Sequence, residues 1–198
     1  LAEARISRGK LALTIVAGLA LGAGSAVWAT RAKGMGGEDY SGWSGSRVTG
    51  SPDAGPWLRA QVAFSGLLAL QRSQAIYFTA RTDSEGQPLR EGCRYRITGG
   101  AMPGKWWSVT VYAADNYLPV NSDGALSFDA TEVKPDAAGN WSALAATRPE
   151  PGLAWVSTRN AGQFDMTLRI YQPDRSAQDD FRSIPMPRIT RLDCAGAA

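Results

Sequence analysis

The side chains able to do chemistry in this 198-residue sequence are carboxylates, arginines, tyrosines and tryptophans, because histidine is absent. That absence removes Ser-His-Asp and Cys-His nucleophilic catalysis and imidazole metal ligation together. Acid–base work would fall to paired carboxylates, for which Asp115, Asp123, Asp129, Asp165 and Asp179-Asp180 are the candidates. Such work needs two carboxyl groups at one site, and no spacing brings any two of these together. Asp115-Asn116 and Asp123-Gly124 read instead as turn residues. There is no Asp-x-Asp calcium signature. The glycine-rich run Gly99-Gly100-Ala101-Met102-Pro103-Gly104 lacks the lysine-serine ending and the following helix of a phosphate loop. No catalytic residue, metal ligand set or cofactor is therefore expected.

Recognition is the other chemistry on offer. In GKWWSVTVYAADNYLPVN, residues 104–121, the adjacent Trp106 and Trp107 must point to opposite faces of a strand. Trp107 heads a core row with Val109 and Val111, and Trp106 lies with Ser108, Thr110 and Tyr112 on the other face. If strands over 93–98, 105–113 and 163–171 share a sheet, its outward face holds Arg94, Arg96, Trp106, Tyr112, Arg169 and Tyr171. These six are the candidate ligand- or partner-binding residues. Aromatics beside arginines are what recognition surfaces enrich, and they suit sugars or anionic head groups. The same pattern also describes a solvated face whose long stems cover apolar area, or one covered by a helix over 57–71.

The elements that must position these residues read clearly. Residues 74–81, 93–98, 105–113 and 163–171 alternate apolar and polar residues, with shorter runs in ALSFDA, NWSALAA and LAWVST. Turns rich in Gly, Asn, Asp and Pro separate them, which is the spacing of an antiparallel β-sandwich. Before them, Pro56 opens a helix with an apolar stripe of Trp57, Ala60, Phe64, Leu67 and Leu68, which should pack on the domain. Residues 30–55 carry seven glycines and four serines, the composition of a tether, although Tyr40 and Trp43 suggest docking.

Residues 11–29 form an uncharged apolar run long enough to span a bilayer, preceded by Arg5, Arg8 and Lys10 and followed by Arg31 and Lys33. The length favours a retained anchor over a cleaved secretory signal ending at Val27-Trp28-Ala29, and both readings export the remainder. The flanking charge prefers a cytoplasmic N-terminus on residues 1–10, with membrane lipid as the helix's partner. Those flanks also hold the basicity. Residues 1–33 carry +4 of a net +3, leaving the body at −1, so no nucleic-acid partner is expected. Cys93 and Cys194 fit no metal spacing. In an exported chain an even count favours a disulfide over two buried thiols.

The series Tyr77-x-x-Ala80-x-x-Asp83-x-x-Gly86, Cys93-Arg94-Tyr95, Trp106-Trp107-Ser108-x-Thr110-x-Tyr112, Leu168-Arg169-Ile170-Tyr171-x-Pro173 and Pro187-x-Ile189 resembles the family of unknown function DUF1214. The resemblance spans roughly residues 56–194 and implies a jelly-roll-like β-sandwich in bacterial, Gram-negative envelope proteins. It implies no catalytic residues. Larger relatives pair this domain with a second uncharacterised module, DUF1254, in whose place this sequence has the single anchor.

The expected architecture is a mainly β, jelly-roll-like antiparallel sandwich over 56–198 with one packed helix, after a transmembrane helix and a linker. The expected function is that of a binding or scaffold protein anchored in the bacterial inner membrane with its sandwich in the periplasm. It would serve as an accessory subunit of an inner-membrane complex, without catalysis. The alternatives are an envelope glycan- or lipid-binding module and a carboxylate-dependent enzyme acting on an envelope polymer.

Overall fold

The computed structural model describes residues 7–32, 37–64 and 69–195, and the chain divides into a unit over 1–36 and one over 37–198. The first unit is one helix, α1 (Arg8–Ala32). The Ser7 hydroxyl accepts from the Lys10 amide at its start, which satisfies one of the orphan donors of a helix N-terminus. Arg8–Trp28 is long and apolar enough to cross a membrane, a test that a signal sequence also passes. Leu11, Leu13, Ile15, Leu19 and Leu21 are exposed around its circumference, so no polar stripe turns one face to water.

The second unit is a sandwich of two sheets. The larger has strand order β1 (Glu38–Tyr40), β2 (Trp43–Gly45), β3 (Ala75–Ala80), β9 (Phe164–Pro173), β5 (Gly104–Ala113), β6 (Ser127–Asp129), all antiparallel. The smaller has order β10 (Arg188–Cys194), β4 (Cys93–Gly99), β7 (Trp141–Ala146), β8 (Ala154–Ser157). Alternation sends Ile76, Phe78, Tyr95, Ile97, Val109, Val111, Met166, Leu168 and Ile170 into the space between the sheets, where all are buried. Trp107 of β5 stacks on Trp141 of β7, with ring centroids 4.5 Å apart, and Phe128 meets both rings edge-on. Tyr95 and Phe164 make a second contact between the sheets at 5.9 Å.

Four expectations need correction. The tether is shorter than 30–55, because Gly37–Gly45 belongs to the folded unit as a hairpin on the sheet edge. Ser41 and Gly42 both have positive φ, 57° and 87°, as a two-residue hairpin turn matched to strand twist requires. Trp43, 1% exposed, donates through Nε1 to the Pro187 carbonyl at 2.6 Å, and Tyr40 packs on Phe78 and Phe181. Gly45 allows this close packing, since a Cβ there would strike the Phe78 ring.

The helix α2 spans only Pro56–Phe64. Trp57 and Ala60 of its expected stripe are exposed, and Gln61 is its buried residue. Leu67 and Leu68 lie outside the described residues. The sandwich is not wholly antiparallel, because β7 and β8 pair in parallel after the proline-bearing return 147–153. Finally, β10 is a full strand where the sequence reading placed none. Its last pair in register, Cys194 opposite Cys93, is joined by a disulfide.

Candidate functional site

The outward face of the larger sheet is built by register. Across β5 and β9, Trp106 faces Tyr171, Ser108 faces Arg169, Thr110 faces Thr167 and Tyr112 faces Asp165. Each alternates with a core residue, so all eight point away from the sandwich interior. β3 extends the face with Tyr77 opposite Arg169 and Thr79 opposite Thr167.

The centre of this face is internally committed. Arg169 donates from Nη1 to Thr110 Oγ1 at 3.0 Å and from Nη2 to the Tyr112 hydroxyl at 2.6 Å. Its guanidinium also lies 5.4 Å from the centre of the Tyr112 ring. Ser108, Thr110 and Thr167 are short, and they are buried among these longer side chains. Beside them, burial pushes the Asp165 carboxyl up to about 6, against the opposing pull of Arg81 and Arg169. Arg81 stands 3.9 Å away with its own side chain largely in solvent. The segment after α2 reaches the same face, where the Leu70 amide donates to the Tyr77 hydroxyl at 3.3 Å.

One end of the face is open. The Trp106 and Tyr171 rings lie 5.1 Å apart at a 48° tilt and are half-buried. They line a cleft of about 470 Å³ with Ser73, Gln74, Lys105 and Gln172. Gln172 has φ 44°, a left-handed conformation that costs a non-glycine residue energy. Its amide donates to the Gln74 carbonyl at 2.8 Å.

The six expected residues therefore separate into four and two. Trp106, Tyr112, Arg169 and Tyr171 share one face, whereas Arg94 and Arg96 sit on β4 in the other sheet. The separation arises because 100–103 carries the chain from one sheet to the other instead of closing a hairpin. Arg94 is held between Glu150 at 2.7 Å and Asp193 at 2.8 Å, and Arg96 lies 4.0 Å from Glu150.

The candidate carboxylates each have partners other than a second carboxylate. Asp115 accepts from the Tyr117 amide, Asp129 from the Thr131 amide and hydroxyl, and Asp180 from the Arg182 amide. Asp123 accepts from the Ser157 hydroxyl at 2.6 Å and pairs with Arg159 at 3.1 Å. Asp179 lies 4.0 Å from Arg175. Neither the Trp106 cleft nor those lined by Asp136 and Trp141 or by Arg59 and Val62 holds two carboxylates. Among the described residues no group of three His, Cys, Asp or Glu is placed to hold a metal.

The sequence reading missed Ser73, Gln74, Lys105 and Gln172. Lys105 neighbours the tryptophan pair and was within reach of inspection. Gln74 and Gln172 line the cleft just beyond the paired ends of β3 and β9, and the φ of 44° at Gln172 is a feature that no residue type announces.

The profile of a family described as protein of unknown function, DUF1214, matches residues 74–175. Among solved structures, the VPA0106 protein of Vibrio parahaemolyticus superposes with a TM-score of 0.59 at 23% identity, a likeness of fold. The match covers 96% of this chain and 47% of that one, so the chain spans about half of that protein's length. An uncharacterized protein from Burkholderia cenocepacia matches at a TM-score of 0.40 and 19% identity, over 63% of this chain and 31% of its own. No curated protein matches the chain.

Proposed function

The chain belongs to the DUF1214 family of proteins of unknown function, and on that premise we propose that it is a membrane-tethered binding or scaffold module without catalysis of its own. In this reading it is an accessory subunit of a bacterial inner-membrane complex. α1 crosses the membrane with its N-terminus in the cytoplasm, and the sandwich stands in the periplasm.

The observation that carries the reading is the contrast across one sheet face. Arg169 donates to both Tyr112 and Thr110, whereas Trp106 and Tyr171 stand half-exposed over an open cleft. A half-exposed indole on a rigid sheet is the kind of anchor that recognition surfaces use. The candidate carboxylates are engaged by amides, hydroxyls or arginines, which favours binding over an enzyme acting through two of them. Within α1, Thr14, Gly18, Gly22 and Ala26 recur at four-residue spacing, which suits close approach of a second membrane helix.

The reading is tested by extracting native membranes in mild detergent and measuring the mass of the species that carries the chain. A defined complex with other integral membrane proteins is expected, and Gly18→Leu with Gly22→Leu should break it. A strictly monomeric, partner-free chain would contradict the proposal.

A further inference from the structure

Resting on that binding-module reading, the geometry points to a saccharide as the ligand of the Trp106–Tyr171 cleft. The cleft is lined by two aromatic rings, 5.1 Å apart and tilted 48° to each other, on residues paired across β5 and β9. A pyranose ring has a flat side of C–H bonds that packs on an aromatic face. Its edge of hydroxyls needs donors and acceptors close by.

The rim meets that second need. Ser73, Gln74 and Gln172 are exposed around the rings, one hydroxyl and two carboxamides, of which the Gln74 Oε1 already accepts from the Gln71 amide at 3.3 Å and leaves its NH2 as donor. A carboxamide offers both donor and acceptor, as a sugar hydroxyl does. The main chains of the two glutamines are neighbours, joined by the hydrogen bond from the Gln172 backbone amide to the Gln74 backbone carbonyl, 2.8 Å. That contact goes with the φ of 44° at Gln172, and strained backbone of this kind clusters at ligand sites.

Among the described residues the cleft carries one positive charge, Lys105, and no guanidinium fork, so it is the arrangement of donors that favours a neutral polyol over an anion in the same place. A phosphate or carboxylate takes donors only and is best held by a guanidinium fork. The neighbouring guanidinium, Arg169, is turned onto Thr110 and Tyr112, so Lys105 is the cation lining the cleft. A volume of about 470 Å³ lies within the range of small-ligand sites and accommodates part of a glycan chain.

The test is calorimetric titration of the full chain, in a detergent without a sugar head group, with three probes: tetra-N-acetylchitotetraose, cellotetraose and inorganic pyrophosphate. At least one tetrasaccharide should bind with a Kd below about 1 mM, while pyrophosphate gives no heat. Trp106→Ala should weaken the saccharide at least about tenfold, Trp106→Phe should keep most of the binding, and Arg94→Ala on the other sheet should leave it unchanged. No saccharide heat with the wild type, equal heat with Trp106→Ala, or pyrophosphate as the one probe bound would each overturn the assignment. A macromolecule cross-linked from position 106 in a chain that binds neither tetrasaccharide would remove the saccharide and leave the binding module standing.

Discussion

Trp107 lies almost flat on Trp141, with ring centroids 4.5 Å apart and 25° between planes, and this stack joins the two sheets at the core. Its chain neighbour Trp106 contacts Tyr171 on the outer face instead. The two adjacent tryptophans therefore contribute to different properties. Trp107→Ala should cost about 3–5 kcal/mol, the range for deleting a buried aromatic. Trp106→Ala should cost no more than about 1 kcal/mol. Urea midpoints of the two variants check the contrast, and equal losses would contradict it.

Asp165 should make the fold less stable as pH rises. Its carboxyl is pushed from 3.8 to about 6, chiefly by burial, so the native state holds the proton more tightly than the unfolded chain does. The contribution of Asp165 to stability is then most favourable below about pH 4, falls between about pH 4 and 6, and is level above. The shift corresponds to at most about 3 kcal/mol. Asp165→Asn should flatten this slope and raise the urea midpoint at pH 7.5. A slope that survives the substitution would assign the effect elsewhere.

The disulfide between Cys93 and Cys194 closes a loop with a sequence separation of 101. Restricting the unfolded chain over that length is worth about 4–5 kcal/mol in the entropic description. Cys93→Ser with Cys194→Ser should lower the midpoint of thermal unfolding by several degrees. The β4–β10 ladder should survive, since its other register pairs do not involve sulfur. Amide exchange across β10 checks that point: protection should weaken at position 194 first and persist at Ile189.

Asp83, in the turn between β3 and β4, has a fully buried side chain. Its Oδ1 accepts from the Glu85 and Gln87 amides, and its Oδ2 stands 2.6 Å from Arg191 Nη2 on β10. Asp83→Ala should cost roughly 3 kcal/mol, because it orphans two amides and a partly buried guanidinium. Asp83→Asn keeps an acceptor for the amides and should cost less. Denaturation of the two variants orders them, and the reverse order would show the ion pair to be incidental.

Much of this fold is legible in the residue pattern, because inward alternation is a strong signal wherever one face of a strand is buried. The row Trp107, Val109, Val111 and the row Phe164, Met166, Leu168, Ile170 fall where period two puts them. Period two says nothing about which strands are neighbours. Arg94 and Arg96 were grouped with Trp106 on a shared sheet, yet β4 pairs with β10 and β7. The hairpin at 38–45 was obscured by glycine content, although Ser41-Gly42 between Tyr40 and Trp43 is a turn signal. In α2, Gln61 is the buried residue and Trp57 the exposed one. Helical spacing shows which residues share a side, but not which side finds a partner. The cleft at Trp106 was half legible: its aromatics follow from alternation, and its glutamines lie at strand ends, where period two gives no signal.

The central claim is that the chain recognises its ligand through the Trp106 end of the larger sheet's outer face. It is tested most directly by placing p-benzoylphenylalanine at position 106, and separately at position 94, in the full chain in native membranes and irradiating both. A cross-linked adduct from position 106 and none from position 94 is the predicted result. An adduct from 94 with none from 106, or no adduct from either, would contradict it.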